Sequence, residues 1–466
     1  MLFPTLTYAL FFIAVFAGVW ALGDRNRARK ALLVAVSYFF YAQWDARFCL
    51  LLLASTLANY GFGLAVGAAS DRTKKHWVAA AVAVNLCVLG FFKYYNFFVE
   101  SANDLFFQLG LVRELPFLEI VLPVGISFFT FHGISYIVDI YRGKIAPARD
   151  PLDILLYISF FPQLVAGPIV RASFFLPQLA KAPSPILDQV PRALGLILVG
   201  LFKKTVVANY LATDLVDPVF VDPASAGTLD LWMALYGYAV QIYCDFSAYS
   251  DMAIGFALLL GYRFPDNFDR PYAATSLQDF WRRWHISLSS WLRDYLYIPL
   301  GGSRGGTILT YRNLALTMVL GGLWHGASWT FILWGSIHGV GLAIERALFG
   351  DRQIGRWGRL IGWFATFHIV CLAWVLFRSQ TMEGALGFLG GLTGNGGERL
   401  YSTPFLISLI VLSLAAQVGP REWVQTKVGR IGTLSWPVLG LLVGIALAVI
   451  DALGPEGVAP FIYFQF

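Results

Sequence analysis

The sequence predicts an all-α polytopic membrane protein, and three observations carry that prediction. Of 466 residues, 58% are hydrophobic and only 13% are charged, against about a quarter charged in an ordinary soluble domain. The mean hydropathy is +0.64. Apolar runs recur along nearly the whole chain, and about 20 apolar residues in a row are what a helix needs to cross a hydrocarbon core about 30 Å thick.

The runs occupy residues 6–22, 31–42, 49–67, 77–92, 121–138, 194–202, 229–242, 314–323, 331–344, 361–377, 404–416 and 434–452. In lipid every backbone polar group must be satisfied within its own segment, so these runs are expected as helices. Together they predict roughly eleven to fourteen spanning or re-entrant segments. No room remains for a soluble domain of ordinary size, so the chain reads as one integral membrane domain over residues 1–466. The first run has no basic region before it and no small-residue cleavage site after it, which makes it a first span instead of a removable signal. Residues 154–165 are short for a span, and Pro162, Gly167 and Pro168 interrupt them. A loop is expected at 391–402, dividing a functional core from accessory helices over 403–466.

The net charge of +6 does not indicate a nucleic-acid partner, because the basic residues lie in short loops and not on one face. Their expected partner is anionic membrane lipid. By the same bias Arg25, Arg27, Arg29 and Lys30 put the first loop in the cytoplasm and the N-terminus outside, and Arg72, Lys74 and Lys75, then Arg142, Lys144 and Arg149, agree in parity. Cys49, Cys87, Cys244 and Cys371 all lie in apolar runs without metal-finger spacing and are expected to pack as free thiols. No internal repeat is evident, which weakens a transporter reading.

Residues 279–296, DFWRRWHISLSSWLRDYL, are strongly amphipathic when placed on a helix. Trp281, Trp284, His285, Leu288, Trp291, Leu292, Tyr295 and Leu296 share one sector. Asp279, Arg282, Arg283, Ser287, Ser289, Ser290, Arg293 and Asp294 share the other. A helix at the membrane interface or beside a wet cavity accounts for all of these except His285, for which a packing role and a functional role both stand.

His325 follows Arg312 by 13 residues, about 20 Å of helix, so it is expected far from either membrane surface. An ionisable group at that depth is a functional candidate by default. Gly321, Gly322, Gly326, Ala327 and Ser328 around it leave space for a substrate or for close helix contact, and Gly322 to Gly326 and Gly335 to Gly339 match the small-residue packing pattern. Asp245, Ser247 and Asp251 form a second polar group in an apolar run, where capping or pairing with arginine outweighs acid–base chemistry. His76 belongs to a basic loop, and His132, His338 and His368 are expected as packed or hydrogen-bonded residues. The run Gly301, Gly302, Ser303, Arg304, Gly305, Gly306 lacks the ending of a phosphate loop and reads as a turn.

Taken together, QIYCDFSAYSDMAIG, NFDRPY, DFWRRWHISLSSWLRDYLYIPLGG and LGGLWHGASWTFILWG resemble the bacterial polysaccharide O-acetylation branch of the membrane-bound O-acyltransferase family. The resemblance runs from about residue 2 to 377 and is densest over 241–339. It implies a helical ring, thin at its centre, around a tunnel where an acyl donor from the cytoplasm meets an acceptor from outside. It implies His325 as the catalytic histidine and His285 as its second position. Asp245, Ser247, Asp251, Trp281, Arg282, Arg283, Trp284, Trp324 and Trp329 are the candidates for the tunnel lining. No bound cofactor or metal is implied; the donor is an acyl thioester, acetyl-coenzyme A or an acyl carrier. The acceptor is a polysaccharide, reached through an extracytoplasmic acetyl-accepting transferase, and the location is the bacterial inner membrane. Acyl transfer from a thioester needs a hydroxyl deprotonated as it attacks, and imidazole is the natural base near neutral pH. The competing readings are a polysaccharide or lipid-linked sugar transporter, and a non-catalytic scaffold of a secretion complex.

Overall fold

The structure is a computed structural model that describes the chain except residues 112, 184–186, 351–354, 395, 398–400, 420–433, 456, 458 and 463–466. Among the described residues it contains helices and no strand; a single antiparallel bridge joins Gly227 and Gly396. Each apolar run predicted from the sequence falls largely on helix, the run at 121–138 only from Ile126 onward. Among the described residues, five helical stretches are long and apolar enough to cross a membrane, namely Arg47–Ala68, Asp71–Gln108, Leu187–Val221, Arg356–Arg378 and Trp436–Leu453, and shorter apolar helices cover Leu6–Ala21 and Pro404–Val418. The chain divides into two compact units, Met1–Pro185 with Ala257–Phe264, and Ile186–Phe256 with Pro265–Phe466.

The first unit is built from α1 (Leu6–Ala21), α2 (Asn26–Asp45), α3 (Arg47–Ala68), α4 (Asp71–Leu89), α5 (Tyr95–Gln108), α6 (Ile126–Tyr141) and α7 (Pro151–Ser159). Local signals set where several of these begin. Thr5 caps α1 by accepting from the Tyr8 amide, and Asp150 caps α7 with Pro151 in the first turn. Inside the unit polar residues pair across helices: the buried amides of Asn59 on α3 and Asn85 on α4 exchange hydrogen bonds of 3.1 and 2.9 Å. Two of the four basic residues expected in the first loop are buried on α2 instead. Arg29 donates to the Gly23 and Pro183 carbonyls, and Lys30 pairs with Asp153 at 2.6 Å. After α7 the chain breaks at Phe160, makes one helical turn over Phe161–Leu164 with Pro162 near its start, and then runs irregularly through Gly167, and Phe160, Phe161, Leu164, Ile169 and Val170 are all buried. Irregular backbone in an apolar setting must find internal partners. Here Ser37 accepts from the Phe161 amide, Gln163 donates to the Tyr157 carbonyl, and the Tyr157 hydroxyl donates to the Val170 carbonyl.

The second unit carries α8 (Val190–Phe202), α9 (Thr228–Leu259, whose last residues 257–259 belong to the first unit), α10 (Leu277–Arg283), α11 (Ile286–Leu292), α12 (Thr307–His325), α13 (Trp329–Leu348), α14 (Arg356–Arg378), α15 (Pro404–Val418) and α16 (Trp436–Leu453). Helices α12 and α13 form a tight hairpin. A Cβ on Gly322 would run into the Phe331 carbonyl, and one on Gly335 into the Met318 carbonyl, so glycine at these two points lets the backbones touch. Gly326 ends α12 in extended backbone, and Ser328 caps α13 by accepting from the Thr330 amide. His325 is therefore the last helical residue before the hairpin bend. The predicted turn at 301–306 is present, with Gly301, Gly302 and Gly306 at positive φ. The predicted loop at 391–402 lies partly outside the described residues; Leu392 and Thr393 are in a turn.

Candidate functional site

His325 is 4% exposed and packed edge-on against three aromatic rings: Trp324 at 5.0 Å, Trp334 at 5.2 Å and Phe377 at 5.1 Å between ring centroids. The enclosure is continuous, because Trp374 stacks on Trp334 at 5.6 Å and Trp284 lies 5.0 Å from Trp374. Trp324 and His325 come from the end of α12, Trp334 from α13, and Trp374 and Phe377 from α14. Such a surround excludes water, and in a low dielectric any charge formed on the imidazole or beside it is felt strongly.

The segment 279–296 is not the single helix its periodicity predicts. It breaks at Trp284, whose backbone is extended, and at His285, which sits in the left-handed region with φ 42° and ψ 56°. For a residue with a side chain this conformation costs on the order of 1–3 kcal/mol and persists only where the surroundings over-determine it. They do so through Asn267. Its carbonyl accepts from the Ile286 amide at 2.8 Å, and its side-chain Oδ1 accepts from the Ser287 amide at 3.1 Å and the Ser287 hydroxyl at 2.8 Å. The middle of the aromatic sector nonetheless stays buried, since Trp284, His285, Leu288, Trp291 and Leu292 are all inside, while Trp281, Tyr295 and Leu296 are half-buried. Ser287, expected on the polar face, is buried as well, turned onto Asn267.

The same amide sets the tautomer of His285. A backbone N–H can only donate, so the Asn267 atom facing Ser287 is the oxygen; it lies 3.2 Å from His285 Nδ1, which must carry the proton. Nε2 is left with its lone pair, buried and without a hydrogen-bond partner among the described residues. The His285 ring rests edge-on against Phe246 at 4.5 Å and lies 6.1 Å from Trp324. Both histidines thus contact Trp324.

Asp245 and Asp251 meet lysines where arginines were expected. On the stretch that continues α8, Lys204 pairs with Asp245 at 2.8 Å, and Lys203 pairs with Asp251 at 2.6 Å while donating to Ser247 at 2.7 Å. Asp245 also accepts from the Ile462 amide at 2.9 Å, Lys204 donates to the Pro460 carbonyl, and Asn209 bonds Gly457 and Ala459. Residues 457 and 459–462 are thereby stapled beside α9, with Phe461 against Tyr249 at 4.2 Å and Phe246 at 6.1 Å. A second anchor joins the NFDRPY segment to α15: Arg270 donates to the Gly419 carbonyl and the Tyr272 amide to Gln417.

Of the residues singled out from the sequence, Trp284 and Trp324 stand with His285 and His325 in the aromatic enclosure. Trp281 reaches it through His338, to which its indole donates at 3.3 Å. Arg282 is exposed, Arg283 pairs with Asp279, and Trp329 is 59% exposed. His368 bonds the Tyr236 hydroxyl and the Phe364 carbonyl. Asn267, Lys203, Lys204, Trp334, Trp374 and Phe377 were not singled out. The two lysines carried a readable signal: two cations closing an apolar run balance two carboxylates in a later one. Asn267 carried a weaker one, as an asparagine in a turn-forming NFDRP stretch.

The class of protein to which this histidine-bearing helical chain belongs follows from its similarity to known proteins. The chain belongs to the membrane-bound O-acyltransferase family, whose model matches residues 148–378, and it is an acyltransferase. It is 40% identical to a probable alginate O-acetylase of Pseudomonas putida across the full length of both chains. It is 45% identical to the corresponding protein of Pseudomonas aeruginosa over 83% of this chain and 73% of that one. A peptidoglycan O-acetyltransferase of Helicobacter pylori is 39% identical over 80% of this chain and 75% of its own.

Proposed function

We propose that this chain moves acetyl groups from a cytoplasmic thioester donor, acetyl-coenzyme A or an acyl carrier, across the bacterial inner membrane for O-acetylation of an extracytoplasmic polysaccharide, with His325 as general base. The observation that carries the reading is His325 itself, enclosed by Trp324, Trp334 and Phe377 at the end of α12 in a chain whose relatives are named for O-acetylation of alginate and of peptidoglycan. In this reading the acceptor hydroxyl gives its proton to His325 as it attacks the thioester carbonyl. His285 holds a reacting group in place through its Nε2 lone pair. An extracytoplasmic transferase passes the acetyl group to the polymer, which is alginate-like by the full-length similarity to alginate O-acetylases. Deleting the gene is expected to remove the alkali-labile acetate from the secreted glycan, and a plasmid copy to restore it. Unchanged glycan acetate in the deletion strain overturns the reading.

The role of His285 separates from mere packing by two substitutions. His285→Ala removes the Nε2 acceptor and is expected to lower acetyl transfer about 10²-fold, the lower end for a group acting in proton transfer or positioning. His285→Asn keeps a polar group on the same backbone and tolerates the left-handed conformation, so it should retain a measurable part of the rate. The comparison is of initial rates in membranes matched for expression, and wild-type rates in both variants would leave only packing.

A further inference from the structure

Two buried N–H groups on α13 have no acceptor among the described residues: Nε1 of Trp334, whose ring packs on His325, and Nε2 of His338, one ring further along. The position of the proton on His338 follows from its neighbour. An indole can only donate, and Trp281 gives its Nε1–H to His338 Nδ1 at 3.3 Å, so the neutral imidazole carries its proton on Nε2. Trp334 is 1% exposed and His338 is fully buried. Their rings lie 4.9 Å apart, and the Trp334 ring meets His325 edge-on at 5.2 Å. Buried N–H groups almost always have partners. Two on neighbouring rings without, one of those rings packed on the proposed base, point to an oxygen that arrives with the substrate.

We propose that Trp334 and His338 donate hydrogen bonds to the carbonyl oxygen of the acyl thioester and stabilise the negative charge it gains during transfer. This rests on the acyltransfer reading of His325. The acceptor hydroxyl oxygen forms a bond to the carbonyl carbon while its proton passes to His325, and the carbonyl π pair moves onto the oxygen. Trp334 Nε1–H and His338 Nε2–H hold that oxyanion. When the pair returns, the carbon–sulfur bond breaks and the leaving thiolate takes the proton from the His325 imidazolium. Neutral donors fixed in a dry aromatic surround stabilise developing charge without reorganising and without setting a cation beside the base. His285 has the opposite tautomer and offers a lone pair, so the histidines divide the work: 285 and 325 accept, 338 donates.

The test uses membrane vesicles of a deletion strain carrying each full-length variant, given acetyl-coenzyme A over a range of concentrations, with ester-linked acetate on polymer as the readout. Trp334→Phe keeps a ring and loses the N–H, and is expected to lower the maximal rate about 10²-fold, as for loss of one oxyanion donor. The acetyl-coenzyme A concentration for half-maximal rate should change little. His338→Phe should fall by about the same factor, whereas His338→Gln, which can present an amide N–H in a similar place, should retain more of the rate. A purely structural role for His338 predicts no advantage of glutamine over phenylalanine, and that outcome counts against the proposal even if Trp334→Phe fails to fold. An active wild type, an inactive His325→Ala, and folded Trp334→Phe and His338→Phe variants at wild-type rates overturn the donors alone. A wild type that transfers acetate from neither acetyl-coenzyme A nor an acetylated acyl carrier protein, or a fully active His325→Ala, overturns the acyltransfer reading and this inference with it.

Discussion

Replacing His325 by alanine or glutamine is expected to lower acetyl transfer by about 10²- to 10⁴-fold, the usual range for loss of a general acid–base group, while donor binding changes much less. Three rings meet the imidazole, so the variants also disturb packing. Alanine leaves a hole at the end of α12, where the Gly322 and Gly335 contacts limit how far the hairpin can close. Glutamine fills more of that volume and cannot act as a base near neutral pH. A catalytic role therefore predicts similar rate losses in both, with the greater loss of melting temperature in alanine. A packing role predicts that glutamine recovers most of the rate. The decisive measurements are transfer rate, donor affinity and melting midpoint on the same preparations. A folded, donor-binding variant working at the wild-type rate would return the scaffold and transporter readings to the front.

The second large effect is expected on stability, at Lys204 and Asp245, whose side chains are 2% and 3% exposed and 2.8 Å apart. Removing one partner of a buried pair strands the other, and Lys204→Met or Asp245→Asn alone is expected to destabilise by about 3–5 kcal/mol. That is a large fraction of the about 5–15 kcal/mol that holds a typical protein folded. Combining Lys204→Met with Asp245→Asn removes both charges and leaves an amide oxygen for the Ile462 amide, so most of the loss should be recovered. The coupling is read from a double-mutant cycle of unfolding free energies in detergent. Single variants as stable as wild type would show that the pair contributes nothing.

Hydropathy placed the helices because burial in lipid leaves few alternatives to helix, and an apolar run therefore states its own structure. Periodicity also found the buried centre of 279–296, though not Ser287, which is buried too, and it concealed the break at Trp284 and His285. A helical wheel records the direction of each side chain, and residues on both sides of the break still turn inward. What fixes the break is the Asn267 side chain, 18 positions earlier in the chain, which no local pattern reports. His325 was legible because its depth could be estimated from Arg312 and because glycines crowd it. Trp334, Trp374 and Phe377 were not, since an aromatic residue in an apolar run looks the same whether it faces lipid or a histidine. Asp245 and Asp251 were visible as anomalies, but their lysines lay just past the apolar run that ends at residue 202.

The staple that joins Gly457, Ala459, Pro460 and Ile462 to Lys204, Asn209 and Asp245 also sets a clock on biogenesis. Asn209 and Ala459 lie 250 positions apart, which a ribosome working at about 5–20 residues per second separates by about 10–50 s. For most of that interval Asp245 has been made and its Ile462 amide partner, 217 positions later, has not. An apolar helix pair with an incompletely satisfied carboxylate must therefore persist, during synthesis, for far longer than a helix takes to form. The late arrival of a short segment, and not the insertion of any span, is then the step that completes this half of the molecule.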